Sequence, residues 1–92
     1  MKGEYLDDFL KEQLKNPKFK KLWEAGEPAF QAGCAMINAR IKAKISQRQL
    51  AKKAKTTQAV ISRIENMSVS PTIGMLQKIA SALGKKLQIK FV

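Results

Sequence analysis

The sequence contains no histidine and a single cysteine, Cys34, among its 92 residues. A disulfide framework requires pairs of cysteines, and a structural zinc site requires four Cys or His ligands, so both are excluded. Without histidine the commonest general base is missing, and no glycine-rich phosphate loop replaces it. We therefore expect no enzyme, no metal and no cofactor. The low cysteine content indicates a reducing, cytoplasmic environment.

Long apolar runs are also missing. No stretch approaches the roughly 18 to 20 apolar residues that span a membrane. The first eight residues carry acids where a signal peptide has its apolar core. Hydrophobic residues make up 45% of the chain, and glycine and proline are scarce, which is typical of one small globular domain. We expect no association with membranes.

Acidic residues are confined almost entirely to the beginning of the chain. Residues 1–27 hold six acids and six lysines, which cancel. Residues 28–92 hold twelve basic residues and one acid, Glu65, so the whole net charge of +11 belongs to them. Solubility alone could explain a basic surface but not this segregation. The pattern predicts a neutral N-terminal arm, residues 1–27, followed by a domain, residues 28–92, that binds a polyanion.

Apolar spacing predicts two short helices in the arm. The first carries apolar residues at steps of three and four. Asn16 then suits the cap of a second helix, with Pro17 at its first position and Gly26 at its end. The two apolar stripes comprise Tyr5, Leu6, Phe9, Leu10, Leu14, Phe19, Leu22 and Trp23.

Four further helices are predicted in residues 28–92. The first opens at Pro28 and places Phe30, Cys34, Ile37 and Ile41 on one face, so Cys34 is expected to fill the core rather than react. Ser46 and Gln49 form a capping box for the second. Thr56 or Thr57 caps the third after a turn of only three residues, which predicts a helix-turn-helix. Thr72 caps the fourth, which Gly84 ends.

The spacing of apolar residues changes at the end of the sequence. Leu87, Ile89 and Phe91 alternate with polar residues, which predicts a strand over residues 87–91. One strand cannot complete its own hydrogen bonds. It must therefore pair with a second copy, pair with another protein, or remain unformed. We favour a symmetric homodimer, since isologous dimers are the commonest oligomers.

Residues 28–84 resemble the Cro/CI-repressor-like (Xre) helix-turn-helix family. The resemblance rests on three patterns: Ser46-Gln47-x-x-Leu50-Ala51, Thr57-Gln58-x-x-Ile61-Ser62-Arg63-Ile64-Glu65-Asn66, and Pro71-Thr72 with Leu76-x-x-Ile79-Ala80-x-x-Leu83-Gly84. It implies an all-α fold: a five-helix lambda-repressor-like DNA-binding domain, here with extra N-terminal helices and a short C-terminal strand. Two departures stand out, because Lys55 and Met67 occupy positions where the family usually has glycine.

In such a motif the second helix enters the major groove of double-stranded DNA. Its outward positions, Gln58, Ala59, Ser62 and Arg63, are expected to read base edges, while Val60, Ile61 and Ile64 point inward. A dimer would then recognise a palindromic operator. The expected contacts with the DNA backbone are Gln47, Arg48, Lys52, Lys55, Thr57 and Asn66. For the lysines, a merely solvated charge remains the alternative.

Glu65 is the one acid in a basic domain and would repel phosphate unless it were neutralised. In the resembling family an arginine of the first core helix pairs with this glutamate, and Arg40 stands at the matching position. The resemblance therefore implies a structural ion pair between Arg40 and Glu65.

The arm, leading into such a domain, resembles HigA-type antitoxins, which act beside ribonuclease toxins of the RelE/HigB class. This resemblance implies that the chain binds a basic toxin and represses the shared operon. The alternative is a free-standing, phage-like transcriptional repressor in which the arm only completes the core. RNA binding is less expected, because residues 47–66 contain no aromatic residue. The expected toxin-binding residues are Tyr5, Phe9, Leu10, Leu14, Phe19 and Trp23.

Overall fold

A computed structural model describes residues 8–92, which contain six helices and no strand. They are α1 (Asp8–Gln13), α2 (Pro17–Ala25), α3 (Pro28–Lys42), α4 (Gln47–Lys53), α5 (Gln58–Glu65) and α6 (Ile73–Ala82). The all-α prediction is confirmed. The five-helix layout is not, because four helices lie in residues 28–92. No helix of the described residues combines the length and apolarity needed to cross a bilayer.

Helices α2, α4, α5 and α6 begin where short polar side chains accept hydrogen bonds from free backbone amides. The Oδ1 atom of Asn16 accepts hydrogen bonds at the start of α2. Ser46 and Gln49 form the predicted capping box of α4, with both hydrogen bonds present. Thr57 caps α5 and Thr72 caps α6. These side chains fix each helix start locally, which is why the sequence predicts them well.

The ends of α3 to α6 share one arrangement, in which the residue after the cap has a positive φ. These residues are Lys44 after α3 (φ 59°), Lys55 after α4 (φ 58°), Met67 after α5 (φ 58°) and Gly84 after α6 (φ 70°). The following amide reaches back to a carbonyl five residues earlier, as Thr56 N does to Ala51 O at 2.9 Å. This is the Schellman motif, in which glycine is usual. Side chains in this left-handed region cost about 1–2 kcal/mol each.

Lys44→Gly is therefore expected to raise the free energy of unfolding by about 0.5–1 kcal/mol, since it relieves backbone strain at an exposed position. Urea titration would measure the change. The matched control is Gly84→Ala, because an added Cβ there meets nothing within 4 Å and only the positive φ opposes it. The control should lower stability by a similar amount. If Lys44→Gly lowered the free energy of unfolding, the claim that Lys44 is strained by its positive φ would be wrong.

The core is built by α3 to α6. Its buried cluster comprises Met36, Leu50, Ala51, Ala54, Ile61, Ile64 and Ile79. The predicted inward face of α5 is thus confirmed, with Ile61 and Ile64 buried and Val60 packed against the cluster. The described part of the arm contributes no residue to this cluster, and α2 has no buried residue. The helix-turn-helix therefore packs around a core of its own.

The predicted apolar face of α3 is wrong at Ile41, which is 46% exposed, whereas Gly33 and Met36 are buried. The reason is a close approach of α3 to α5. A Cβ atom built on Gly33 would lie 2.7 Å from the carbonyl oxygen of Ile64, so only glycine fits there. Cys34 is fully buried as expected, and burial raises the pKa of its thiol to about 11. The thiol therefore stays protonated near neutral pH.

The C-terminal tail, residues 85–92, forms neither helix nor strand. Ile89 is 58% exposed and Phe91 is fully exposed. The strand over residues 87–91 is absent from the single chain, because the described residues offer it no neighbouring strand. Pairing between two copies stays a prediction.

Candidate nucleic-acid interface

Helices α4 and α5 pack on each other and are joined by the short turn of residues 54–56. Leu50 of α4 and Ile61 of α5 are both fully buried and belong to the same core cluster. The Thr57 hydroxyl accepts a hydrogen bond from the amide of Val60 at 3.2 Å, which fixes the first turn of α5. The side of α5 opposite Ile61 is thereby directed outward.

The outward side of α5 presents the four predicted base-reading residues. Gln58, Ala59 and Arg63 are exposed, and Ser62 is half-buried. Ser62 receives a long hydrogen bond of 3.5 Å from Asn66 Nδ2. Residues 58 and 62, and residues 59 and 63, are each one turn apart and so form two adjacent rows. The structure thus brings these side chains to one face.

This face has the chemistry for direct readout. A glutamine can form two hydrogen bonds with adenine, and an arginine can form two with guanine. The methyl group of Ala59 can contact a thymine methyl. An α-helix with its side chains is about 10–12 Å in diameter, comparable with the width of the major groove, so α5 can lie within it.

Most of the predicted phosphate contacts are open to solvent. Arg48 and Lys52 lie one turn apart on α4 and are exposed, and Lys55 is exposed in the turn. Thr57 and Asn66, at the two ends of α5, are exposed as well. None of these basic side chains forms an ion pair within residues 11–92.

Glu65 lies at the centre of a hydrogen-bonded network and is only 5% exposed. Arg40 Nε donates to Glu65 Oε2 at 2.7 Å, and Arg40 Nη2 donates to Oε1 at 3.0 Å. Arg40 Nη1 donates to the carbonyl oxygen of Ile45 at 3.0 Å. The hydrogen bond to Glu65, together with its charge, raises the pKa of the Arg40 guanidinium. The two charges are thus held as a bidentate pair.

Gln47 completes the network in a way that the sequence does not reveal. Its Nε2 atom donates to Glu65 Oε1 at 2.9 Å, so α4 is tied to the end of α5. The expected phosphate donor is therefore half-buried and already engaged by one of its two amide hydrogens. No spacing rule signals this contact, because it depends on how α4 and α5 meet.

The network has an electrostatic consequence for the outer surface. Glu65 is the one acid of residues 28–92, and the network buries and neutralises it. Within residues 28–92, the exposed charged side chains around α4 and α5 are therefore all basic. A phosphate backbone approaching this side meets no repulsion from a carboxylate.

The arm presents an aromatic group on the first half of α3. The rings of Phe19 and Phe30 lie 5.0 Å apart between centroids, and those of Trp23 and Phe30 lie 6.4 Å apart. Leu14 is half-buried, and Leu22 is 45% exposed. Of the other expected toxin-binding residues, Tyr5 and the side chains of Phe9 and Leu10 lie outside the described part of the chain.

Comparison with known proteins gives one match. A family model described as helix-turn-helix matches residues 36–90, which cover the end of α3 and all of α4, α5 and α6. No curated protein matches the chain, and no solved structure does.

Proposed function

We propose that this chain, which belongs to the helix-turn-helix family of DNA-binding transcription regulators, is an antitoxin that represses its own operon. The outward face of α5 reads the operator. The arm neutralises a basic ribonuclease toxin of the RelE/HigB class. The observation that carries this proposal is the separation between an arm outside the core and a domain with its own core.

The proposed reading of DNA rests on the orientation of α5. Ile61 and Ile64 anchor the helix in the core, so Gln58 and Arg63 are free to contact bases. Arg48 and Lys52 flank this face and would neutralise phosphates. Loss of a phosphate contact weakens binding to all sequences alike, whereas loss of a base contact relaxes discrimination at one position.

The proposed toxin contact rests on the composition and exposure of the arm. Phe19 and Trp23 cover Phe30 without entering the buried cluster, and Leu22 is open to solvent. Aromatic and apolar groups of this kind anchor protein interfaces. Glu24 and Glu27 are exposed in the arm, as are Lys18, Lys20 and Lys21, and the two carboxylates would pair with charges of a cationic partner.

The rival function is a free-standing repressor whose arm only completes the core. In that reading the arm covers α3, and Phe19 and Trp23 do pack there on Phe30, although no described arm residue belongs to the buried cluster. This packing fits both functions, and removal of the arm separates them. Both functions share the same use of α5.

We also propose that two copies pair through residues 87–91. Each tail supplies the strand that the other lacks, and the exposed Ile89 and Phe91 become covered in the pair. Two reading helices about 34 Å apart would then match successive major grooves and a palindromic operator.

Three tagged chains test these proposals together: the full chain, residues 28–92 and residues 1–86. Each is recovered from its native host, and co-purifying proteins are identified by intact mass. The full chain should retain a small basic protein that residues 28–92 lose while remaining folded and bound to DNA. Residues 1–86 should keep that partner but sediment as a monomer at concentrations where the full chain is a dimer.

The outcomes against the proposals are distinct. If residues 28–92 unfold, the arm is part of the core and the rival function is correct. If the full chain and residues 28–92 both co-purify with DNA and with no protein, no toxin partner exists. If residues 1–86 sediment as the same dimer, the tails do not pair.

A further inference from the structure

Helix α3 is packed against other helices on two different sides. Gly33 and Met36 lie on the side that meets α5 and the core cluster. Phe30, Cys34 and Asn38 follow one another at steps of four residues and so lie along another side of the helix. Besides α5, the helices packed on α3 are chiefly α1 and α2. We call the surface formed by Phe30, Cys34 and Asn38 the covered face of α3.

Aromatic contacts and burial show that the arm shields this face. The rings of Phe19 and Trp23 pack on Phe30, at centroid distances of 5.0 and 6.4 Å. One turn further along α3, Cys34 is fully buried, although it does not belong to the core cluster. Ile41 lies about three turns after Phe30 on the same side and is exposed. The arm therefore covers only the first part of this side of α3.

Few buried groups hold α2 on the covered face. Helix α2 has no buried residue, and Phe19 and Trp23 are only half-buried. The Oδ1 atom of Asn38 is buried and has no hydrogen-bond partner among the described residues. A buried acceptor of this kind destabilises the closed arrangement, and water can satisfy it once the face is open. The contact between the arm and α3 is thus suited to local opening.

The solvent side of α2 is unsuited to a basic partner. Lys18, Lys20 and Lys21 are exposed there, and Glu24 is the one acid of this helix. A basic toxin would meet mainly like charges on this side, which oppose association. Aromatic rings are frequent anchors of protein interfaces, but those of α2 are turned toward Phe30. The chemistry that suits the toxin therefore lies on the side of α2 that α3 now occupies.

We propose that the toxin binds the aromatic side of α2 and competes for it with the covered face of α3. In the free chain Phe19 and Trp23 pack on Phe30. In the toxin complex α2 leaves α3, and the covered face is opened to water. The identity of the partner rests on the proposed antitoxin function, whereas the opening of the arm is a property of the chain alone.

Two natural probes report this opening, because Trp23 is the one tryptophan of the sequence and Cys34 the one cysteine. Burial raises the pKa of the Cys34 thiol to about 11, so the thiol reacts with N-ethylmaleimide only when it is uncovered. In a urea titration, the fluorescence of Trp23 and the labelling of Cys34 should both change before the main loss of helical circular dichroism. Coincident transitions would make the arm part of the cooperative core and overturn the proposal.

Three variants separate local opening from global unfolding in buffer without urea. Phe30→Ala removes the surface on which the two rings pack, and it should speed the labelling of Cys34 at least about tenfold while helical circular dichroism persists. Leu22→Ala changes an exposed residue of the same helix and should alter the rate less than about twofold. Ile61→Val weakens the core alone and should leave the rate unchanged. A several-fold acceleration in Ile61→Val would show that labelling requires global unfolding.

The competition itself is tested with the small basic protein that co-purifies with the full chain. This protein should speed the labelling of Cys34 in the wild type. It should also bind Phe30→Ala at least about fivefold more tightly, because a larger fraction of the chains has an open arm. Slower labelling in the complex would mean that the toxin binds over a closed arm. Weaker binding of Phe30→Ala would place Phe30 in the toxin contact, and either outcome overturns the competition.

Failure of the antitoxin function would be recognised separately. If no small basic protein co-purifies, that function fails, and the competition fails with it. The labelling of Cys34 in the free chain still decides whether the arm opens, since it requires no partner.

Discussion

Glu65→Ala is expected to lower the free energy of unfolding by about 3–5 kcal/mol. The change leaves the half-buried guanidinium of Arg40 without the carboxylate that now accepts two of its hydrogen bonds. It also removes the acceptor of Gln47, and with it a link between α4 and α5. Small domains are stable by only about 5–15 kcal/mol, so urea titration should be performed in the cold with a stabilising osmolyte.

The control for this variant is the double change Arg40→Met/Glu65→Leu. Removing both charges avoids an unpaired buried ion, so the double variant should be more stable than Glu65→Ala. If the double variant is the more stable of the two, the loss in Glu65→Ala comes from the unpaired charge of Arg40. If the double variant is as unstable as Glu65→Ala, the carboxylate contributes independently of Arg40. A loss below about 1 kcal/mol in Glu65→Ala would mean that the network contributes little to the fold.

Ile61→Ala is expected to lower the free energy of unfolding by about 2–5 kcal/mol. Ile61 is fully buried in the cluster that α5 shares with α3, α4 and α6, and truncation leaves a cavity that the neighbours fill only in part. Thermal and urea unfolding would both report the loss. A loss of this size would show that the Ile61 side of α5 is packed in the core, and hence that the opposite side faces solvent.

Arg63→Ala is the matched control on the same helix. Arg63 is exposed and forms no ion pair within the described side chains, so its removal should change stability by less than about 0.5 kcal/mol. If Arg63→Ala were as destabilising as Ile61→Ala, the outward face of α5 would be packed in the fold and unavailable to DNA.

Local chemistry explains which parts of the fold were predictable. Ser46, Thr57 and Thr72 satisfy amides within three residues of themselves, so their capping roles follow from short patterns. The inward face of α5 follows from the spacing of Ile61 and Ile64. The strained positions Lys55 and Met67 were visible as departures from a family that places glycine there.

The features that the sequence did not predict depend on how the helices pack against one another. Apolar residues occur on several sides of α3, so periodicity does not select a face, and Ile41 was wrongly placed inside. Gly33 determines how α3 meets α5, but a glycine within a helix does not reveal its neighbour. The bond from Gln47 to Glu65 joins residues 18 apart in sequence and has no local signal. The strand predicted for residues 87–91 finds no partner strand among the described residues, so alternation of apolar residues alone did not predict the conformation of the tail.

The most direct test of the central claim is affinity selection of binding sites from a pool of random duplexes, performed with the wild-type chain and with Arg63→Ala. The wild type should select a palindromic site with a symmetric pair of strongly preferred bases that Arg63 contacts. The variant should lose about 1–3 kcal/mol of discrimination at that pair and keep its preferences elsewhere. Identical preferences for the two proteins would contradict the assignment of α5 as the reading helix.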